Sequence, residues 1–173
     1  MNDGRITIIA KIGPDLFREF AIYDAFVYKK RGIRPMIFAV FFLLVAIIAF
    51  TRRSYTEGAA LLGVVLLVVG LGLPAIYILR YLYSVSKRAK GFSGDETAYA
   101  LILNTVGVDV EKGEQSMHYS WDQITFACRL SHSICLYVTS NHAFLLPRED
   151  ADSAAAWDMI REHIPPSKVK EYR

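Results

Sequence analysis

Charge is missing from the most apolar parts of this chain. Residues 35–50 ("PMIFAVFFLLVAIIAF") and 59–79 ("AALLGVVLLVVGLGLPAIYIL") contain no Asp, Glu, Lys, Arg or His. An intramembrane proton relay or ion site needs such a group, so a pump or transporter built on these segments lacks its usual marker. Cysteine is scarce: two in 173 residues do not make a disulfide scaffold. The signatures G-x-S-x-G, H-E-x-x-H and C-x-x-C are absent, and "GLGLP" lies inside an apolar stretch where a phosphate cradle has no use. The acidic pairs Asp95-Glu96 and Glu149-Asp150 fall at turns and helix starts, where solvent and the helix dipole account for them. No catalytic residue, cofactor or enzymatic activity is therefore expected. A net charge of +3 gives no case for nucleic acid. The start, "MNDGRITIIAKIGPDLF", has no basic segment followed by an apolar core, so no cleavable signal peptide is expected.

What is present is apolar surface. Hydrophobic residues make up 53% of the chain and mean hydropathy is +0.27, high for a soluble protein. At 1.5 Å per residue the first stretch reaches about 24 Å, just enough for a hydrocarbon core of about 30 Å once the flanking arginines snorkel. The second spans comfortably. Both are apolar on every face, unlike a helix lying beside a small soluble domain. The expectation is a transmembrane hairpin, residues 35–51 and 59–80, joined by a short external loop, 52–58. Lys29, Lys30, Arg31, Arg34, Arg80, Lys87, Arg88 and Lys90 flank its outer ends, against Arg52 and Arg53 in the loop. Both termini should thus be cytoplasmic, in a multi-pass protein of the cell membrane. Tyr55 suits one membrane interface, and Tyr77, Tyr81 and Tyr83 the other. The flanking cations can also attract anionic lipids, although topology alone accounts for them. Pro74 cannot donate to the carbonyl of Gly70, so a kink is expected. Ala59, Gly63, Gly70 and Gly72 offer smooth surface, for the two spans to pack on each other or for homo-oligomerisation.

The flanking parts read as α+β. "RITIIAK" (5–11) has the β-branched residues of a strand. Pro14 opens a helix, "PDLFREFAIYDAFVYKKR", with Gly32 as its stop and Leu16, Phe20, Tyr23 and Val27 on one packing face. Pro35 disfavours helix at Arg34, so a break should precede the first span. Residues 1–34 thus form a cytoplasmic N-terminal strand and amphipathic helix. In the cytoplasmic segment 91–173, "GFSGDE" is a polar turn. Six strands then follow, at 97–103, 108–112, 115–120, 123–130, 133–139 and 142–147, and a helix ends at Pro165-Pro166. Six short antiparallel strands and a C-terminal helix outline a pleckstrin-homology-like β-sandwich or barrel. That fold has seven strands, and the N-terminal strand, docking on the C-terminal sheet with its helix, would supply another.

Cys128, His132, Cys135 and His142 fall within fifteen positions and raise the question of a metal site. Cys128 belongs to an apolar, core-facing row with Ile124, Phe126 and Leu130, and Cys135 to a row with Tyr137 and Thr139. A hairpin turning at His132 would send the two cysteines to different faces. His132 at the tip and His142 at the next strand are too dispersed for zinc, so no metal site is expected. A cytoplasmic location disfavours a disulfide.

Three motifs carry a resemblance: "KIGPDLFREFAIYDAF" leading into a basic cluster and two spans; "MHYSWDQITFA"; and "LYVTSNHAFLLPRE". In this order they resemble the YcxB-like family of bacterial membrane proteins, over nearly the whole chain. The resemblance implies a two-span inner-membrane protein with a cytoplasmic pleckstrin-homology-like C-terminal domain, and brings no activity or site residues. Trp121 reads as a packing anchor. With His118 and Arg148 it could instead edge a binding surface. The function expected is a membrane-anchored, non-enzymatic binding or regulatory module that engages a protein or peptide partner. The alternative is an immunity or stress-protection protein acting through its hairpin on a membrane-active toxin or an integral partner.

Overall fold

The computed structural model describes residues 5–52, 58–92, 98–149 and 152–172. The chain divides into a β unit, residues 1–20 and 89–173, and a helical unit, residues 21–88. Thr97, Tyr55, Arg53, Asp95, Glu96 and Asp150 lie outside the described residues.

The β unit has two four-stranded sheets. In the first, β1 (Ile6–Lys11), β2 (Ala98–Leu103), β3 (Gly107–Lys112) and β4 (Gln115–Ser120) lie side by side in that order, all antiparallel. The β-branched N-terminal segment does dock on the sheet, with Ile6 opposite Leu103 and Lys11 opposite Ala98. The turn between β2 and β3 is an Asx turn: Asn104 Oδ1 accepts from the N–H groups of Val106 and Gly107 at 2.9 and 2.8 Å. A Cβ on Gly107 would collide with the carbonyl oxygen of Tyr119, which leaves that position to glycine. Gly113, with φ near +60°, starts the two-residue turn of the β3–β4 hairpin.

The second sheet runs β7 (His142–Pro147), β6 (Ser133–Thr139), β5 (Phe126–Arg129) and β8 (Val169–Glu171). β8 pairs parallel to β5 and is a strand the sequence reading missed, since it is three residues long and follows Pro165-Pro166. The expected strand 123–130 is shorter, because residues Trp121–Gln123 form a 3-10 turn closed by a capping box between Ser120 and Gln123. The C-terminal helix α4 (Ser153–His163) brings Ala156, Trp157 and Ile160 onto Leu101, Leu103, Ile134, Leu136 and Leu146, so both sheets and the helix share one core.

The first helix, α1 (Pro14–Ile22), is shorter than expected. A π-helical turn, Tyr23–Tyr28, follows it, and Lys30 rather than Gly32 takes the left-handed conformation, φ +51°. The wider π turn rotates the packing face out of phase, which leaves Val27 45% exposed instead of beside Tyr23. Gly32 is the N-cap of α2 (Ile33–Thr51), so Arg34 is helical; Pro35 is tolerated there because first-turn N–H groups lack helical partners anyway. The second long helix, α3 (Ala59–Ala89), runs beyond residue 80 and contains Pro74.

Both α2 and α3 are long and apolar enough to cross a membrane. Within the most apolar window of each, 11% and 17% is buried by the protein itself, which separates them from the buried core helix of a soluble domain. They pack on each other through glycine: a Cβ on Gly63 would lie 2.9 Å from the Phe50 ring, and one on Gly70 2.5 Å from Phe42 Cβ. A Cβ on Gly72 would meet no other part of the protein within 4 Å among the described residues.

Candidate partner-binding edge

Each sheet has two outer strands, and they are treated differently. At β7, the Tyr99 hydroxyl donates to the carbonyl of Leu145 and accepts from the Leu145 N–H, both at 2.8 Å. A side chain thus occupies backbone groups that an added strand would use. Burial pushes the Tyr99 hydroxyl well above its ordinary range, opposed by the hydrogen bond it accepts from the Leu145 N–H. β8 is too short to offer a ladder, and β1 is six residues long with alternate residues buried.

Along Gln115–His118, β4 has no such cover among the described residues. Its first four residues are exposed, and Met117 is 42% exposed even though it shares a face with the half-buried Tyr119. The two-residue turn pairs Lys112 with Gln115. By antiparallel alternation Ser116, His118 and Ser120 then turn their backbone groups away from β3. The Ser120 N–H accordingly donates to Gln123 Oε1 at 3.1 Å and not to β3.

A short polar chain lies beside this edge. His118 Nδ1 is 2.5 Å from Asp109 Oδ1 on the neighbouring strand, and the amide of Asn104 donates to Asp109 Oδ2 at 2.9 Å. The Trp121 indole N–H donates to the Asn104 carbonyl at 3.0 Å, and its ring stacks on His163 of α4 at 5.0 Å. His118 and Trp121 are therefore linked, through Asn104 and Asp109. The anchor reading of Trp121 fits its place in the shared core. Arg148 is not part of this chain: its guanidinium donates to the carbonyls of Leu130 and Ser131 and fastens the β5–β6 tip. The sequence marks Asn104 only as a turn residue and gives no sign of Asp109. Its pairing with His118 depends on strand register.

The cysteines depart from expectation. Leu130 N–H bonds the Ser133 carbonyl at 2.7 Å, a two-residue tip, which sets Cys128 directly opposite Cys135. Opposed residues of antiparallel strands share a face, so the two thiols point the same way rather than apart. Nor is that face the main core, which takes Ala127, Ile134 and Leu136 from the same strands. It lies under α1: Phe20 packs on Tyr137 with ring centroids 6.0 Å apart, and Ser133 Oγ donates to Glu19 at 2.9 Å. A hydrogen bond with Cys128 and burial hold the Cys135 thiol well above its ordinary value. Glu19 takes up His132, whose N–H lies 3.2 Å from Oε1, whereas His142 meets Phe144 edge-on at 4.9 Å. Among the described residues no three His, Cys, Asp or Glu side chains are grouped to hold a metal ion.

No family model, curated protein or solved structure matches the chain.

Proposed function

We propose that the chain is a membrane-anchored, non-enzymatic binding module of the YcxB-like, pleckstrin-homology-like type. Its hairpin holds the β unit at the cytoplasmic face of a bacterial inner membrane, and an extended segment of a protein partner adds to β4. The observation that carries this is the uncovered edge of β4, beside β7 capped by Tyr99. Backbone bonding along a free edge gives affinity, and side chains on the two faces give selectivity. Asp109 and Glu111 lie opposite His118 and Ser116, so a segment with a basic side chain is favoured there.

The test is capture from detergent-solubilised membranes by the full chain and by Ser116→Pro, which removes an outward N–H while leaving the β3 ladder intact. The reading requires that a partner held by the parent chain be lost from Ser116→Pro with the fold retained. Equal capture by both would refute it. The alternative, an immunity or stress-protection role through the hairpin, has less to draw on. Gly63 and Gly70, the small residues suited to gripping another helix, are occupied by Phe50 and Phe42, which leaves Gly72.

A further inference from the structure

In the helical unit, Lys29, Lys30, Arg31 and Arg34 converge with Tyr77 around an open cavity of about 440 Å³. Lys29 is neutralised by Asp24 at 2.9 Å. Among the described residues no carboxylate pairs with Lys30, Arg31 or Arg34, and all three are exposed. The arrangement is costly in two ways. Three cations face one space at the positive end of the α2 dipole, where like charge is unfavourable. Lys30 also holds φ +51°, a conformation that lysine adopts rarely, one residue past the Lys29 C-cap of the π-helical turn. Strained backbone and π turns both concentrate at binding sites. Topology determination needs cations near a span but neither a cavity nor a strained residue. An oxyanion in the cavity would relieve the charge, and Tyr77 lines the same space.

We propose that this cavity binds the phosphate of an anionic phospholipid headgroup. The inference rests on the membrane reading of α2 and α3: these helices are apolar where they would meet acyl chains, and the cavity lies at the end of α2, where headgroups would stand. Tyr77, 44% exposed, suits the same level.

The full chain, reconstituted in phosphatidylcholine nanodiscs containing a minor fraction of phosphatidylglycerol, is released in the gas phase and its retained lipids are identified by native mass spectrometry. The expected result is selective retention of phosphatidylglycerol, reduced about tenfold or more in R31Q/R34Q and unchanged in R80Q/K87Q, which removes two cations outside the cavity. Lys30→Gly, which the left-handed backbone accommodates without strain, is expected to cut retention about fivefold without loss of thermal stability. Inorganic phosphate should not displace the lipid. Equal losses in the two double variants would show diffuse attraction and overturn the proposal. Full displacement by phosphate would assign the site to a free anion and overturn it too. A chain that fails to enter neutral nanodiscs refutes the membrane reading itself. One that enters but shows no selectivity refutes only the cavity's assignment.

Discussion

Leu101, Leu103, Ile134, Leu136 and Leu146 in the β unit are fully buried, whereas Met36, Leu61, Val68 and Leu79 in the helical unit are 65–70% exposed. The residue types are alike and the surroundings are opposite. In the β unit every large apolar side chain that finds a neighbour gains on the order of 2 kcal/mol by leaving water, and only Ile9, Val106 and Met117 stay exposed among the described residues. In the helical unit many apolar side chains of α2 and α3 face outward, as suits helices long and apolar enough to cross a membrane. Two of the exposed β-unit residues lie on the outer strands of the first sheet, Ile9 on β1 and Met117 on β4, and stand out against a β unit that otherwise buries most of its apolar surface.

The contrast can be broken from either side, and both tryptophans lie in the β unit, so their fluorescence reports that unit alone. The largest effect is expected from Trp157→Ala. Trp157 is 1% exposed and its N–H donates to Glu171 at 3.0 Å, so truncation should cost about 3–5 kcal/mol. Denaturant unfolding followed by Trp121 emission should shift strongly while detergent-solubilised helicity of α2 and α3 persists. Loss of both together would mean that the two regions are not separable.

From the other side, Gly70→Ala sets a methyl 2.5 Å from Phe42 Cβ and should weaken the hairpin by about 1–3 kcal/mol. Thermal melting of helical ellipticity in detergent should fall, and tryptophan emission should not change. Gly72→Ala, with open space around it, should be neutral or stabilising by up to about 1 kcal/mol. If both glycines behave alike, the packing of α3 on α2 is wrong.

Much of this division was legible in the sequence, since uninterrupted apolar runs and alternating strands follow from local pattern. The hairpin, the docking of the N-terminal strand and the C-terminal helix with its Trp157 and Ile160 were readable for that reason. What escaped depends on registers and turns. Phase along α1 was lost because a π turn adds one residue per bond ring, and nothing in "YDAFVY" announces it. The facing cysteines follow from a two-residue tip, and moving that tip by one residue would have parted them. Asp109 joins His118 only through the β3–β4 register, and β8 forms because β5 has a vacant side, which no local pattern records.

A smaller effect sharpens the contrast between the two sheet edges. Tyr99→Phe removes both bonds to Leu145 and leaves its N–H and carbonyl unpaired, at a cost of about 1–3 kcal/mol by chemical denaturation. It should also make β7 a second open edge, visible as faster amide exchange at Leu145. The smallest effect is expected at the C-terminus. The hydrogen bond from Arg129 holds the Glu171 carboxyl below its ordinary value near 4.5, so its contribution is full above that pH and is lost as pH falls through the lower folded value. The Tyr172 N–H, bonded to the Arg129 carbonyl at 2.8 Å, should lose protection in acid before the amides of β6 do.

The claim at the centre is that β4 is where a partner joins. A photo-crosslinking residue at Ser116, compared with the same residue at the exposed Glu162 of α4, tests it most directly in intact membranes. The account predicts a discrete adduct from position 116, absent from position 162, whose crosslinked segment comes from an extended stretch of the partner. Adducts of the same kind and yield from both positions, or none from position 116 while the hairpin alone captures a partner, would contradict it.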